Sequence, residues 1–156
     1  MKDTFVRDRL PPEDLWPVLD FSPLPELQSY PERLNCATEL LDGAIRAGHG
    51  ERPAFWFGPD PKAEGACWTY NDLRARVSRI AHVLVDDLGV EPGNRVLLRA
   101  PNNPMAVACW LAMGEVGAVV VATMPLLRAK ELAYIVEKAD VEFGLCDRQL
   151  AEEFGV

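Results

Sequence analysis

Between Arg95 and Cys146 the hydrophobic period of the chain switches repeatedly, and no other feature narrows the possible folds so far. Arg95–Arg99 is short and β-rich, residues 103–116 have helix length and are apolar nearly all round, and residues 118–122 read Ala-Val-Val-Val-Ala. Ala129–Ala139 then sets Leu132, Ile135, Val136 and Ala139 at helical spacing, leaving Lys130, Glu131, Glu137 and Lys138 to solvent, before residues 141–146 return to a strand pattern. The order strand, helix, strand, helix, strand makes two successive βαβ units. Parallel strands need such crossovers, and strand twist makes them right-handed. The expected architecture is α/β, a doubly wound parallel sheet.

What precedes these units reads differently. Pro11, Pro12, Pro17, Pro23, Pro25 and Pro31, separated by Trp16, Phe21 and Tyr30, imply an extended Pro-rich arm over residues 1–33, its aromatic rings anchoring it to the α/β domain of residues 34–156. A helix is expected from an Asn35 cap, with Leu40, Leu41, Ala44 and Ile45 on one face and a stop near Gly48. Residues 53–57 and 66–70 flank the Pro- and Gly-bearing loop 58–65, as in an irregular β-hairpin. Thr69 and Asp72 have capping-box spacing for a helix whose stripe is Leu73, Val77, Ile80, Leu84 and Leu88, ended by Gly89. Glu91-Pro92-Gly93-Asn94 places Pro and Gly as a type II turn requires.

Charge and side-chain inventory exclude several functions. With 16 basic and 24 acidic residues the net charge is −8, and no basic cluster exceeds two residues, so nucleic acid is not an expected partner. Cys36, Cys67, Cys109 and Cys146 form no Cys-x-x-Cys pair, and His49 and His82 are the only imidazoles, so no metal site is expected; free thiols fit a reducing, cytoplasmic setting. Cys109 sits in an apolar stretch and reads as a packed thiol. His82 reads as a solvated partner of Asp86, one turn away. The apolar run 104–127 contains Glu115, two glycines and Pro125, which suits a buried helix and strand better than a membrane span, and the first ten residues lack a signal-peptide core.

In an open α/β sheet, ligands meet the carboxyl ends of the strands, here Pro101-Asn102-Asn103 and Thr123-Met124-Pro125. Neither segment is a glycine-rich phosphate loop. Asn102 and Asn103 serve either to orient a ligand or to cap the helix opened by Pro104, and capping is the simpler role.

Longer motifs carry a resemblance. Trp68-Thr69-Tyr70-Asn71-Asp72-Leu73 resembles the T-Y-x-E-L opening of adenylate-forming (AMP-binding) acid-CoA ligases, with Asp72 where Glu is usual. Gly93-Asn94-Arg95-Val96 is similar to the G-D-R-V strand entry of that superfamily, and Asn102-Asn103-Pro104 through Gly114-Glu115-Val116-Gly117-Ala118 resembles its next helix and strand. Within the superfamily, Arg99-Ala100-Pro101-Asn102-Asn103-Pro104, Ala108-Cys109-Trp110 and Ala122-Thr123-Met124-Pro125-Leu126-Leu127-Arg128 look like the 2-aminobenzoate-CoA ligase group, near the benzoate-CoA ligases.

The resemblance implies an incomplete part of a larger ligase N-terminal domain. It implies ATP, Mg2+ and CoA as cofactors of the parent enzyme and a small aromatic carboxylate as substrate. The phosphate loop, the metal-holding acid and the C-terminal lysine of the family would lie beyond Val156. No catalytic role is therefore carried to any residue here, no cofactor is expected to bind this chain tightly, and the chain alone is expected to be inactive. Covering segments would lie there too, so self-association or pairing with the remainder of the ligase is expected. Two other classes compete: a stand-alone α/β module that binds a protein partner, and a small nucleotide or flavin binder, against which the missing glycine-rich turn argues.

Overall fold

The computed structural model describes residues 3–28, 30, 31, 33–58 and 67–155. Residues 6–28 of the arm are exposed and contain two 3-10 turns, Arg7–Arg9 and Glu13–Leu15, and a one-turn helix, α1 (Pro25–Gln28). Trp16, Phe21 and Tyr30 do not anchor it. Trp16 Nε1 donates to Pro11 O at 2.7 Å, within the arm, and Trp16, Phe21 and Tyr30 stay nearly half exposed. The tether lies earlier: the Asp3 amide donates to Pro92 O at 3.2 Å, its carboxylate accepts from Arg95 and Asn94, and the Phe5 ring lies 4.3 Å from the Arg95 guanidinium.

Asn35 caps the following helical segment, Oδ1 accepting from the Ala37 and Thr38 amides, while Nδ2 donates to Glu115 O at 2.9 Å. That segment winds in π turns, Thr38–Asp42 and Ile45–His49. An i→i+5 winding displaces the face expected of an α-helix. Ala37 and Leu41 are buried, and Leu40 is 56% exposed. Next, β1 (Pro53–Trp56) and β2 (Cys67–Thr69) pair antiparallel with a slip between Pro53 and Phe55, and Phe55, Phe57 and Trp68 pack edge to face and tilted. Most of the loop expected at 58–65, and Ala66 of the expected second strand, lie outside the described residues.

The capping box forms as the spacing requires: Thr69 Oγ1 accepts from the Asp72 amide and an Asp72 carboxylate oxygen accepts from the Thr69 amide, both at 3.1 Å. It opens α2 (Tyr70–His82), which continues through a π turn, Val83–Asp87. Leu73, Val77, Ala81 and Leu84 are buried and Ile80 packs partly against them. Leu88, expected on the same stripe, is 42% exposed because the wide last turn rotates it outward. The type II turn is present, with Gly93 at φ 99 and the Asn94 amide donating to Glu91 O at 3.0 Å. Gly93 is doubly required, since a Cβ there would collide with the Asp3 carbonyl.

β3 (Arg95–Arg99), α3 (Pro104–Glu115), β4 (Val119–Thr123), α4 (Ala129–Ala139) and β5 (Phe143–Cys146) complete the fold. The strands are parallel in the order β4-β3-β5, with Arg95 opposite Val119 and Val96 opposite Phe143. The second crossover thus reverses direction across the central strand, and right-handed connections put α3 and α4 on opposite faces of the sheet. Alternation along β3 agrees with this. Val96 and Leu98 join the main core with α2 and α3, while Leu97 shares a recess with Val136 of α4. Arg74 ties this side together, Nε meeting Asp42 at 2.7 Å and Nη1 meeting Glu115 at 2.8 Å. α3 is less covered than its nearly all-apolar composition implies. Ala108, Leu111, Ala112 and Met113 are buried, but Met105, Val107 and Trp110 are 42–47% exposed because no described element lies over them.

Candidate functional site

The fold brings the two expected strand-end segments together. Ala100, Pro101 and Asn102 leave β3, Thr123, Met124 and Pro125 leave β4, and with Ala106, Val107 and Trp110 of α3 they line an open cleft of about 600 Å3. Asn103 does not line it. Its Oδ1 accepts from the Ala106 amide at 2.8 Å, so it caps α3 behind the preorganised Pro104. Asn102 is exposed on the rim, shared with a smaller aromatic recess formed by Phe55, Trp56 and Phe57.

Among the described residues no charged side chain lines the cleft, yet a cation stands behind its wall. Arg99 is 1% exposed. Its guanidinium donates to Met124 O and Pro125 O at 3.0 Å, to Leu127 O at 2.8 Å and, more weakly, to Leu150 O at 3.4 Å. A buried charge requires full hydrogen bonding, and here main-chain dipoles provide it. The consequence is mechanical: Arg99 fixes the Met124–Leu127 carbonyls, and with them one wall of the cleft. Arg95 plays the matching part at the other end of β3, 4% exposed, donating to Ala139 O and Asp140 O where α4 ends, and pairing with Asp140 and Asp3.

The C-terminal 3-10 segment Arg148–Phe154 latches over the same region. Glu153 pairs with Arg128 and accepts from the Ala129 amide at 2.9 Å, so it serves the N-terminus of α4. The Arg128 hydrogen bond, helped by that amide, holds the Glu153 carboxyl below its ordinary range. Burial pushes the Cys109 thiol up, as for packed rather than reactive cysteine, and it pushes the Cys146 thiol up too. His82 is exposed; its Nδ1–H donates to Ser78 O at 2.8 Å, one turn back, instead of meeting Asp86. Among the described residues, no three His, Cys, Asp or Glu side chains converge as a metal site would need, and no helix is long and apolar enough to cross a membrane.

Arg99 and Trp110 stand in the sequence reading only as members of the motifs that resemble 2-aminobenzoate-CoA ligases, with no role of their own. The signal was present: arginine at both ends of the five-residue strand Arg-Val-Leu-Leu-Arg puts both cations on one face of a buried strand. An aromatic ring on an all-apolar helix likewise marks the flank left open.

Comparison with known proteins places this architecture. An acetyl-coenzyme A synthetase of Mycobacterium bovis is 38% identical over 101 residues, covering 64% of this chain but 15% of the relative, so the chain spans a small part of the curated proteins it resembles. Among solved structures, the anthranilate CoA ligase AuaEII in complex with anthranoyl-AMP shares the fold at a TM-score of 0.71 and 17% identity, covering 82% of this chain and 23% of that one. A benzoate CoA ligase from Burkholderia xenovorans LB400 shares it at 0.67 and 20%, covering 79% and 23%. The model of the AMP-binding enzyme family matches residues 44–155, which include every strand of both sheets and the whole cleft, and the chain therefore belongs to the AMP-binding enzyme family.

Proposed function

We propose that this chain is an N-terminal scaffolding part of an ATP-dependent acyl-CoA ligase, and that this ligase activates an aromatic carboxylate such as benzoate or 2-aminobenzoate. The family match across residues 44–155 carries the ligase reading. The aromatic reading draws on a convergence. The three segments that resemble 2-aminobenzoate-CoA ligases, 99–104, 108–110 and 122–128, come from the end of β3, from α3 and from the end of β4, and meet around one cleft and its Arg99 brace.

In the proposed reaction a carboxylate oxygen attacks the α-phosphorus of ATP, pyrophosphate leaves, and the CoA thiol then displaces AMP. Magnesium neutralises charge on the triphosphate in such chemistry. Nothing among the described residues groups as a site for that ion. The contribution of this chain is to present the strand ends and hold their loops rigid, which is what positioning of a reacting group demands.

The test uses the protein extended through the coding sequence that follows Val156, assayed for carboxylate-dependent exchange of pyrophosphate into ATP. Benzoate or 2-aminobenzoate should exceed acetate by about tenfold or more in kcat/KM, which is about 1.4 kcal/mol of transition-state preference. A preference for acetate, the substrate that the acetyl-coenzyme A synthetase relatives bring forward, would replace the aromatic reading. No exchange with any acid would end the ligase reading.

A further inference from the structure

Among the described residues the sheet has two unpaired edges, β4 and β5, and they differ in chemistry. In β4 the Val119 amide donates to Asn94 O, so in a parallel ladder Val119, Val121 and Thr123 turn their polar groups to β3, while Val120 and Ala122 turn theirs outward. No hydrogen bond from another described residue meets the outward N–H or C=O of Val120 or Ala122. Residues 116–127 contain no charged side chain, and the hollows on the α3 side of β4, one with Met124 and Pro125 and one with Leu34 and Cys36, have none in their linings and share Trp110. The β5 edge is guarded: Asp140 and Glu142 precede it and Asp147 and Arg148 follow. Charged flanks are what keep an exposed strand from pairing, and β4 lacks them.

We propose that the β4 edge is a self-association surface whose occupant is β4 of a second copy of this chain, antiparallel about a two-fold axis at Val121. The register follows from the outward groups. With Val121 on the axis, Val120 of each copy faces Ala122 of the other, and these are the residues whose N–H and C=O are free, so each pair exchanges two hydrogen bonds. The result is one continuous sheet of two three-stranded halves, closed by symmetry so that β4 is no longer an edge. Charge selects this face over others. Two copies at −8 repel, so contact is favoured where neither presents charge; the α3 side of the β4 flank is uncharged, with Val107, Trp110 and Met124 there 42–63% exposed, and charge (Asp3, Arg7 and Arg33) comes near β4 only around Val119, two residues from the axis. The inference does not depend on the ligase reading, and either can fail alone.

Sedimentation of the 156-residue chain over a concentration series tests it, with amide hydrogen exchange on the same samples. The mass should rise from 17.3 kDa toward twice that value, more readily at higher salt, and the Val120 and Ala122 amides should slow as it does. Ala122→Lys, at an exposed position on the β4 edge, should weaken the dimer by about tenfold or more. Gly144→Lys makes the same charge change on the β5 edge, where a Cβ meets Leu97 at an ordinary 3.9 Å, and should leave the dimer intact. A monomer at every concentration would overturn the proposal. So would a dimer in which the Val120 and Ala122 amides exchange as fast as in the monomer, or one that Gly144→Lys breaks and Ala122→Lys does not. Because the exchange is read on the unaltered chain, the outcome stands even if a variant fails to fold, as circular dichroism would show.

Discussion

Replacing Arg99 with Met keeps the apolar stem, out to about the position of Nε, of a side chain that is 1% exposed, and removes its charge and all its donors. Four carbonyls, of Met124, Pro125, Leu127 and Leu150, then lose their partner. Hydrogen bonds from a charged donor contribute about 1.5–3 kcal/mol each, so the three bonds at 2.8–3.0 Å set a gross loss of about 5–9 kcal/mol. Relief of the desolvation of a buried guanidinium returns several kcal/mol, and the Met124–Leu127 loop can swing out to water. The expected net loss is about 3–5 kcal/mol, a large part of the total stability of a small domain. Urea unfolding followed by circular dichroism measures it as a shift of midpoint at constant slope. Tryptic cleavage after Arg128 should accelerate in parallel, because the loop held by Arg99 ends there. Arg99→Lys should recover part of the loss, since three donors on a point charge cannot serve carbonyls that a planar fork reaches together. A midpoint within experimental error of the unaltered chain would show that the carbonyls need no cation and that the cleft wall is held by other means.

Leu84→Ala should cost about 2–5 kcal/mol, because Leu84 is fully buried in the π turn after α2, whereas His82→Ala on the exposed side should cost far less; equal losses in urea melts would contradict the burial pattern. Acid should weaken the fold through its carboxylates. The Thr69 amide and hydroxyl hold the Asp72 carboxyl below its ordinary range, and Arg128 does the same for Glu153. A depressed carboxyl lends its full stability above the unfolded-state value and loses it as pH falls from there through the lowered folded-state value, so the urea midpoint should decline below about pH 5, and Asp72→Asn should flatten that decline. An acid-insensitive midpoint would remove both groups from the account.

The alternating units were legible because each depends on local signals. The Thr69–Asp72 box, the Asn103 cap ahead of Pro104, and the turn at Pro92-Gly93 are each set by residues within four positions of one another, and the structure contains all three. What the sequence concealed depends on distant partners. The Arg95/Arg99 spacing on β3 puts two cations on one face of a buried strand, but the acceptors of Arg99 lie 25 to 51 residues away and nothing local identifies them. Strand order was equally hidden, since consecutive βαβ units are compatible with β5 beside β4 or beside β3. The rotated faces at Leu40 and Leu88 came from π turns, which a 3.6-residue period does not anticipate. The cleft was half legible: its strand ends followed from the topology rule, but Trp110 and the brace behind Met124 emerged only from packing.

On the proposed function, this chain provides the frame of an acyl-activating enzyme, and none of its described residues handles the triphosphate. The direct measurement is exchange of labelled pyrophosphate into ATP by the purified 156-residue chain, with benzoate, 2-aminobenzoate or acetate present. No exchange above a heat-killed control is expected with any acid. Exchange that depends on added carboxylate and disappears on heating would contradict it, because triphosphate binding and acyl activation would then reside within the residues described here.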